Sequence, residues 1–114
     1  MKSFAIKKLE VGLNDTSGLY VPPDTDRELF FSELRDEILS HTCDPFMVSA
    51  TVVPPAFPDI KAGERIEGCC VAHYKGYWLI YNMEQDTFYC FWGTDVEHLS
   101  APGISGSPLY CWSS

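Results

Sequence analysis

Residues 66–92 read IEGCCVAHYKGYWLIYNMEQDTFYCFW, and the fold follows from how this stretch divides. Cys69 to Tyr74 and Tyr77 to Tyr81 are apolar and aromatic runs on either side of Lys75-Gly76, where glycine permits the positive φ of a tight hairpin turn. Asn82 to Asp86 is polar and suits a second turn, and Thr87 to Trp92 makes a third strand that Gly93 ends. The expectation is a three-stranded meander.

Register then assigns the side chains. A two-residue turn sets Tyr74 opposite Tyr77, hence His73 opposite Trp78 and Val71 opposite Ile80. A turn that sets Asn82 opposite Thr87 puts Ile80 opposite Tyr89 and Trp78 opposite Phe91. One face carries Val71, His73, Trp78, Ile80, Tyr89 and Phe91, and the other Ala72, Tyr74, Tyr77, Leu79, Tyr81, Phe88, Cys90 and Trp92. Both faces are apolar, so each needs a cover.

On the N-terminal side, Thr25 followed by Glu28 reads as a capping box opening a helix over about 26–41. At 100° per residue Phe30, Phe31, Leu34 and Ile38 share one arc, while Glu33, Asp36 and Glu37 share another. The helix has a core face and an acidic face. Phe46 to Val53 reads as a strand stopped by Pro54-Pro55, since proline cannot donate to a sheet ladder. Residues 4–11 alternate imperfectly between apolar and charged side chains and read as an edge strand; residues 12–26 are turn-rich and read as a loop.

The fold class expected is therefore α+β: an antiparallel sheet of about four or five strands with the meander at 66–92, and one main amphipathic helix packed on one face. A helix of that length covers one apolar face, and the tail Leu109-Tyr110-Cys111-Trp112, a loop or another molecule must cover the second. With 114 residues, 46% of them hydrophobic and 14% aromatic, residues 1–114 fit a single globular domain.

Sixteen acidic against eight basic residues give a formal charge of −8, and a field of that sign repels nucleic acid and anionic membrane surfaces while it draws in basic proteins. The N-terminal apolar run is shorter than the roughly 7 to 15 residues of a secretory signal. The five cysteines are odd in number and mostly lie in apolar runs, as reduced structural thiols do. A cytoplasmic location is the expectation.

No catalytic residues, cofactor or metal are assigned from the sequence. His41 with Cys43 is the nearest thiol–base pair along the chain, although a histidine at a helix C-terminus is already explained by the helix dipole. Cys69 and His73 lie about 13 Å apart along a strand and cannot pair. Zinc would need His73, Cys69, Cys90 and His98 gathered by the fold, with no close ligand doublet to announce it. Glu84 with Asp86, and Asp95 with Glu97, sit in turns where solvent keeps carboxylates ordinary.

What remains is a compact, acidic chain with aromatic strands, the profile expected of a small binding or inhibitory protein of the immunity or antitoxin type that neutralises a basic, nuclease-like toxin by direct contact. In that reading Glu33, Asp36, Glu37, Glu84 and Asp86 supply charge, and the exposed members of Tyr77, Tyr81, Trp92 and Trp112 supply anchors. Two other classes compete: a small-molecule binder or enzyme with His73 or His41 in an aromatic pocket, told by a deep cavity, and a domain that homodimerises through its open aromatic face.

Overall fold

A computed structural model describes residues 2–113. Its elements run α1 (Lys2–Gly12), α2 (Arg27–Ser40), β1 (Thr42–Val52), β2 (Arg65–Tyr74), β3 (Tyr77–Asn82), β4 (Thr87–Trp92), β5 (Leu99–Ala101), β6 (Ser105–Gly106) and α3 (Pro108–Trp112). The class is α+β with a mixed, mostly antiparallel sheet, as the pattern of strand and helix periods leads one to expect. Among the described residues no helix is long and apolar enough to cross a membrane.

The meander forms as read. Tyr74 faces Tyr77, His73 faces Trp78, Ile80 faces Tyr89, Trp78 faces Phe91 and Asn82 faces Thr87. Lys75 and Gly76 both take positive φ, 48° and 86°, the geometry of a twist-matched two-residue hairpin turn. One pairing departs from the expectation: Cys70, not Val71, lies opposite Ile80, because β2 carries a register shift between Cys70 and Ala72. The extra residue turns Cys70 inward and lets Val71 join Ala72 and Cys69 on the other side.

The sheet then curls on itself. β1 pairs β2, β2 pairs β3, β3 pairs β4 and β4 pairs β5, all antiparallel, while β5 returns to pair β1 in parallel. Five strands that alternate in direction around a closed ring must contain one parallel pair, and β1–β5 is it. Closure buries one apolar face as a barrel interior of Val48, Ala50, Val52, Cys70, Ile80, Tyr89, Phe91, Leu99 and Ala101. The outer face, with Cys69, Val71, Ala72, Leu79, Tyr81, Phe88 and Cys90, packs against residues of all three helices.

The helices explain themselves locally. Residues 4–11 are helical rather than extended: Ala5, Leu9 and Leu13 are buried at a four-residue spacing, and that helical stripe outweighs the imperfect alternation. In α2 the N-cap is Asp26, whose carboxylate accepts from Leu29 N at 3.1 Å, in place of the Thr25 box. Phe31 and Ile38 of α2 are buried as its pattern requires. The tail becomes α3, capped by Ser107, whose hydroxyl accepts from Tyr110 N at 3.2 Å, with Pro108 in the first turn. Leu109, Cys111 and Trp112 are all buried.

Candidate functional site

Barrel closure and the helices cover most of the aromatic sheet, but they stop short of the hairpin end of β2, β3 and β4. There Tyr74 faces Tyr77 and Tyr77 faces Trp92, so three outward rings stand in one row across three strands. Each is partly exposed, at 37%, 39% and 39%. The Tyr77 and Trp92 rings lie 6.4 Å apart and within 22° of parallel. Lys75 Nζ sits 5.1 Å over the Tyr74 ring, a cation on an aromatic face.

The row continues toward α2. His41, the C-cap residue of α2, lays its ring 3.8 Å from that of Tyr74, and its Nδ1 is held 2.7 Å from Glu37 O. Trp112 lies 6.4 Å beyond His41, and its indole N–H donates to Glu37 Oε1 at 2.6 Å. A continuous band thus leads from the Trp92 ring to the acidic helix. Glu33 and Asp36 of that helix are exposed, as is Asp44 just after it. Past the far end of the row come Asp95 and Glu97, three and five residues after Trp92 and exposed. Asp95 accepts from Glu97 N at 3.0 Å and lies 2.8 Å from His98 Nδ1, contacts that hold its carboxyl below the usual range.

The residues singled out from the sequence divide into four groups, the first being Glu33, Asp36 and the Trp112-bound Glu37 on α2. Tyr77 and Trp92 come together as an exposed pair. Tyr81 and Trp112 are 3% and 5% exposed and belong to the core, because the α1 and α3 helices cover the part of the outer face they occupy. Glu84 and Asp86 lie in the Asn82–Thr87 turn, at the other end of β3 and about 16 Å from the row. Asp86 is already engaged: it accepts from the Tyr81 hydroxyl at 2.6 Å and pairs with Lys8 Nζ at 3.0 Å, and the Tyr81 and Lys8 hydrogen bonds lower its carboxyl pKa. Tyr74 and His41 join the row without having been singled out as anchors from the sequence. Tyr74 was legible, since the hairpin register sets it beside Tyr77; His41 depends on where α2 docks.

The chemical alternatives find little geometry. His41 Nδ1 turns to Glu37 O while Cys43 Sγ turns to Cys70, so the two near neighbours in sequence point to different partners. Burial raises the thiol pKa of Cys43, Cys70 and Cys111, and brings that of Cys90 to about 11, which keeps them protonated and poor nucleophiles at neutral pH. His73 stacks on Trp78 at 4.6 Å with Phe46 edge-on at 6.4 Å. Five surface concavities of about 250 to 500 Å³ have neither His41 nor His73 in their walls. Among the described residues no group of three or more His, Cys, Asp or Glu side chains is arranged to hold a metal. No protein-family model, curated protein or solved structure matches the chain.

Proposed function

We propose that this protein is a small acidic binding domain that docks a basic protein on the Tyr74–Tyr77–Trp92 row, acting as an inhibitor of the immunity or antitoxin type. The observation that carries the reading is the row itself: three large rings in register on neighbouring strands, left partly exposed while Tyr81 and Phe88, farther along the same face, are buried against the helices. Tyrosine and tryptophan combine broad apolar area with a polar atom and few rotatable bonds, which suits them as anchors.

Charge supports the class of partner. The net charge is −8, and the exposed acids Glu33 and Asp36 on α2 and Glu97 after β4 belong to elements at the two ends of the row. Such a rim accelerates encounter with a basic surface and fixes its orientation. Glu37 contributes through its grip on Trp112, and Glu84 and Asp86 lie too far along β3 to share the same contact.

The test is affinity capture from host-cell extract at low ionic strength, with retained proteins identified by mass spectrometry and a Tyr77→Ser/Trp92→Ser double variant alongside. The expected result is a basic protein, held by the wild type, released as salt rises and absent from the double variant. Retention of no basic protein, or of one that the double variant holds equally well, overturns the reading.

A further inference from the structure

Cys43 and Cys70 sit where two irregularities face each other: the β1–β2 register shifts between Thr42 and Phe46, and β2 shifts again between Cys70 and Ala72. The consequence is that both side chains turn to the same side, with their Sγ atoms 3.9 Å apart and Cys43 Sγ also 3.7 Å from Cys70 O. Of the five reduced cysteines Cys43 alone is not fully buried; Cys69, Cys70, Cys90 and Cys111 are. One thiol therefore reaches solvent while a second waits behind it.

We infer that Cys43 and Cys70 form an oxidation site that a hydroperoxide converts to a disulfide between β1 and β2, with Cys43 the attacking thiol and Cys70 the resolving one. The Cys43 thiolate attacks one peroxide oxygen, forming an S–O bond and breaking the O–O bond, and the other oxygen leaves as an alcohol or water after taking a proton. Cys70 Sγ then attacks the Cys43 sulfenic sulfur, forming S–S and breaking S–O; the departing oxygen takes the Cys70 proton and leaves as water. Two sulfurs are oxidised and the two peroxide oxygens are reduced. Burial sets the tempo, since a thiol held protonated offers little thiolate, so the pair is a slow responder that reacts faster as pH rises. Once Cys43 is oxidised, the proximity of Cys70 protects it from further oxidation.

The inference is independent of the aromatic row, and its test does not involve a partner. The reduced protein is treated with hydrogen peroxide, remaining thiols are blocked under denaturing conditions, and tryptic peptides are mapped by mass spectrometry. Cleavage at Arg35, Lys61, Arg65 and Lys75 puts Cys43 on the peptide 36–61 and Cys70 on 66–75, so the expected product is one cross-linked species lighter by two hydrogens and separated by dithiothreitol. Cys69 shares that second peptide, and a Cys69→Ala variant keeps the link while Cys70→Ala loses it and accumulates Cys43 sulfinic acid. Should Cys70→Ala fail to fold, fragmentation of the wild-type cross-link assigns the sulfur. Sulfinic acid at Cys43 without a link in the wild type, or a link through Cys69, overturns the assignment.

Discussion

The indole N–H of Trp112 donates to Glu37 Oε1 at 2.6 Å across 75 residues of sequence, tying α3 to α2. Both side chains read from the sequence as candidates for contact with a partner, and the fold uses each to satisfy the other. The ring is 5% exposed, so the N–H is shielded from water and its bond to a charged oxygen is strong. Trp112→Phe keeps most of the packing and loses the donor, which lowers stability by about 1.5–3 kcal/mol. Trp112→Ala also empties the space under α3, for a loss of about 3–5 kcal/mol. Urea denaturation of the two variants checks the order; a Trp112→Phe protein as stable as the wild type would mean that the hydrogen bond contributes nothing beyond packing.

The Tyr81 hydroxyl donates to Asp86 Oδ1 at 2.6 Å, and Asp86 in turn holds Lys8 of α1. Burial first, and the neighbouring carboxylate second, push the Tyr81 phenol up to about 12. A folded-state pKa above the unfolded value of about 10 means that the contact stabilises fully below pH 10 and is lost as pH rises toward 12. The lowered carboxyl of Asp86 acts at the other end of the scale, with its contribution present above the ordinary carboxylate range and lost as acid protonates it. Ultraviolet titration of tyrosinate should find Tyr81 among the last tyrosines to ionise, and Tyr81→Phe should flatten the fall in stability between pH 10 and 12. A fall unchanged in Tyr81→Phe would place the alkaline sensitivity elsewhere.

How far the sequence reaches is clearest in the meander. Lys75-Gly76 fixes the register of β2 on β3 and the Asn82–Thr87 turn that of β3 on β4, and from these two turns the Tyr74–Tyr77–Trp92 row follows without any knowledge of the rest of the chain. The helix at 27–40 is equally local, announced by its two faces, although its cap is Asp26 and not the Thr25 box. What stays hidden is long-range. β5 is three residues long and finds β1 by a parallel pairing some fifty residues away, a contact with no local signature, yet it closes the barrel that hides one aromatic face. Tyr81 and Trp112 read as candidate anchors because that closure, and the docking of α1 and α3 on the other face, are decided by tertiary packing. The shift at Val71 likewise has no local signature; it lies across from the irregularity between Thr42 and Phe46 of β1.

Gly103 is placed where no side chain fits. Its φ is +101°, and a Cβ built there would run into the backbone carbonyl of Ala56, whose turn is closed by Ala56 N donating to Val53 O at 2.9 Å. Gly63 makes the comparison, with a φ of +95° and nothing within 4 Å of its Cβ position. Gly103→Ala pays both strain and collision and should cost well over about 1 kcal/mol, whereas Gly63→Ala carries the conformational strain alone. Thermal unfolding of the two variants should show the larger drop at residue 103. Equal drops would mean that the 53–56 turn yields and that the contact with β5's following loop is not a constraint.

Binding at the ring row should separate cleanly from stability. About 39% of Trp92 is open to solvent, so truncating it leaves a smaller void than truncating Trp112. Trp92→Ser should therefore unfold at higher urea than Trp112→Ala. In a complex the same ring, flanked by Tyr77 and closed off from water by the partner, becomes a central anchor whose loss costs about 2 kcal/mol or more, roughly a thirtyfold rise in Kd. Glu33→Lys/Asp36→Lys acts differently, because exposed charges mainly steer: the association rate should drop and its salt dependence flatten, with the dissociation rate little changed. Titration calorimetry and stopped-flow binding with the captured partner read the two effects. A Trp92→Ser protein that binds as tightly as the wild type would move the contact away from the hairpin end of the sheet, and an unaltered association rate in the charge variant would take α2 out of the encounter.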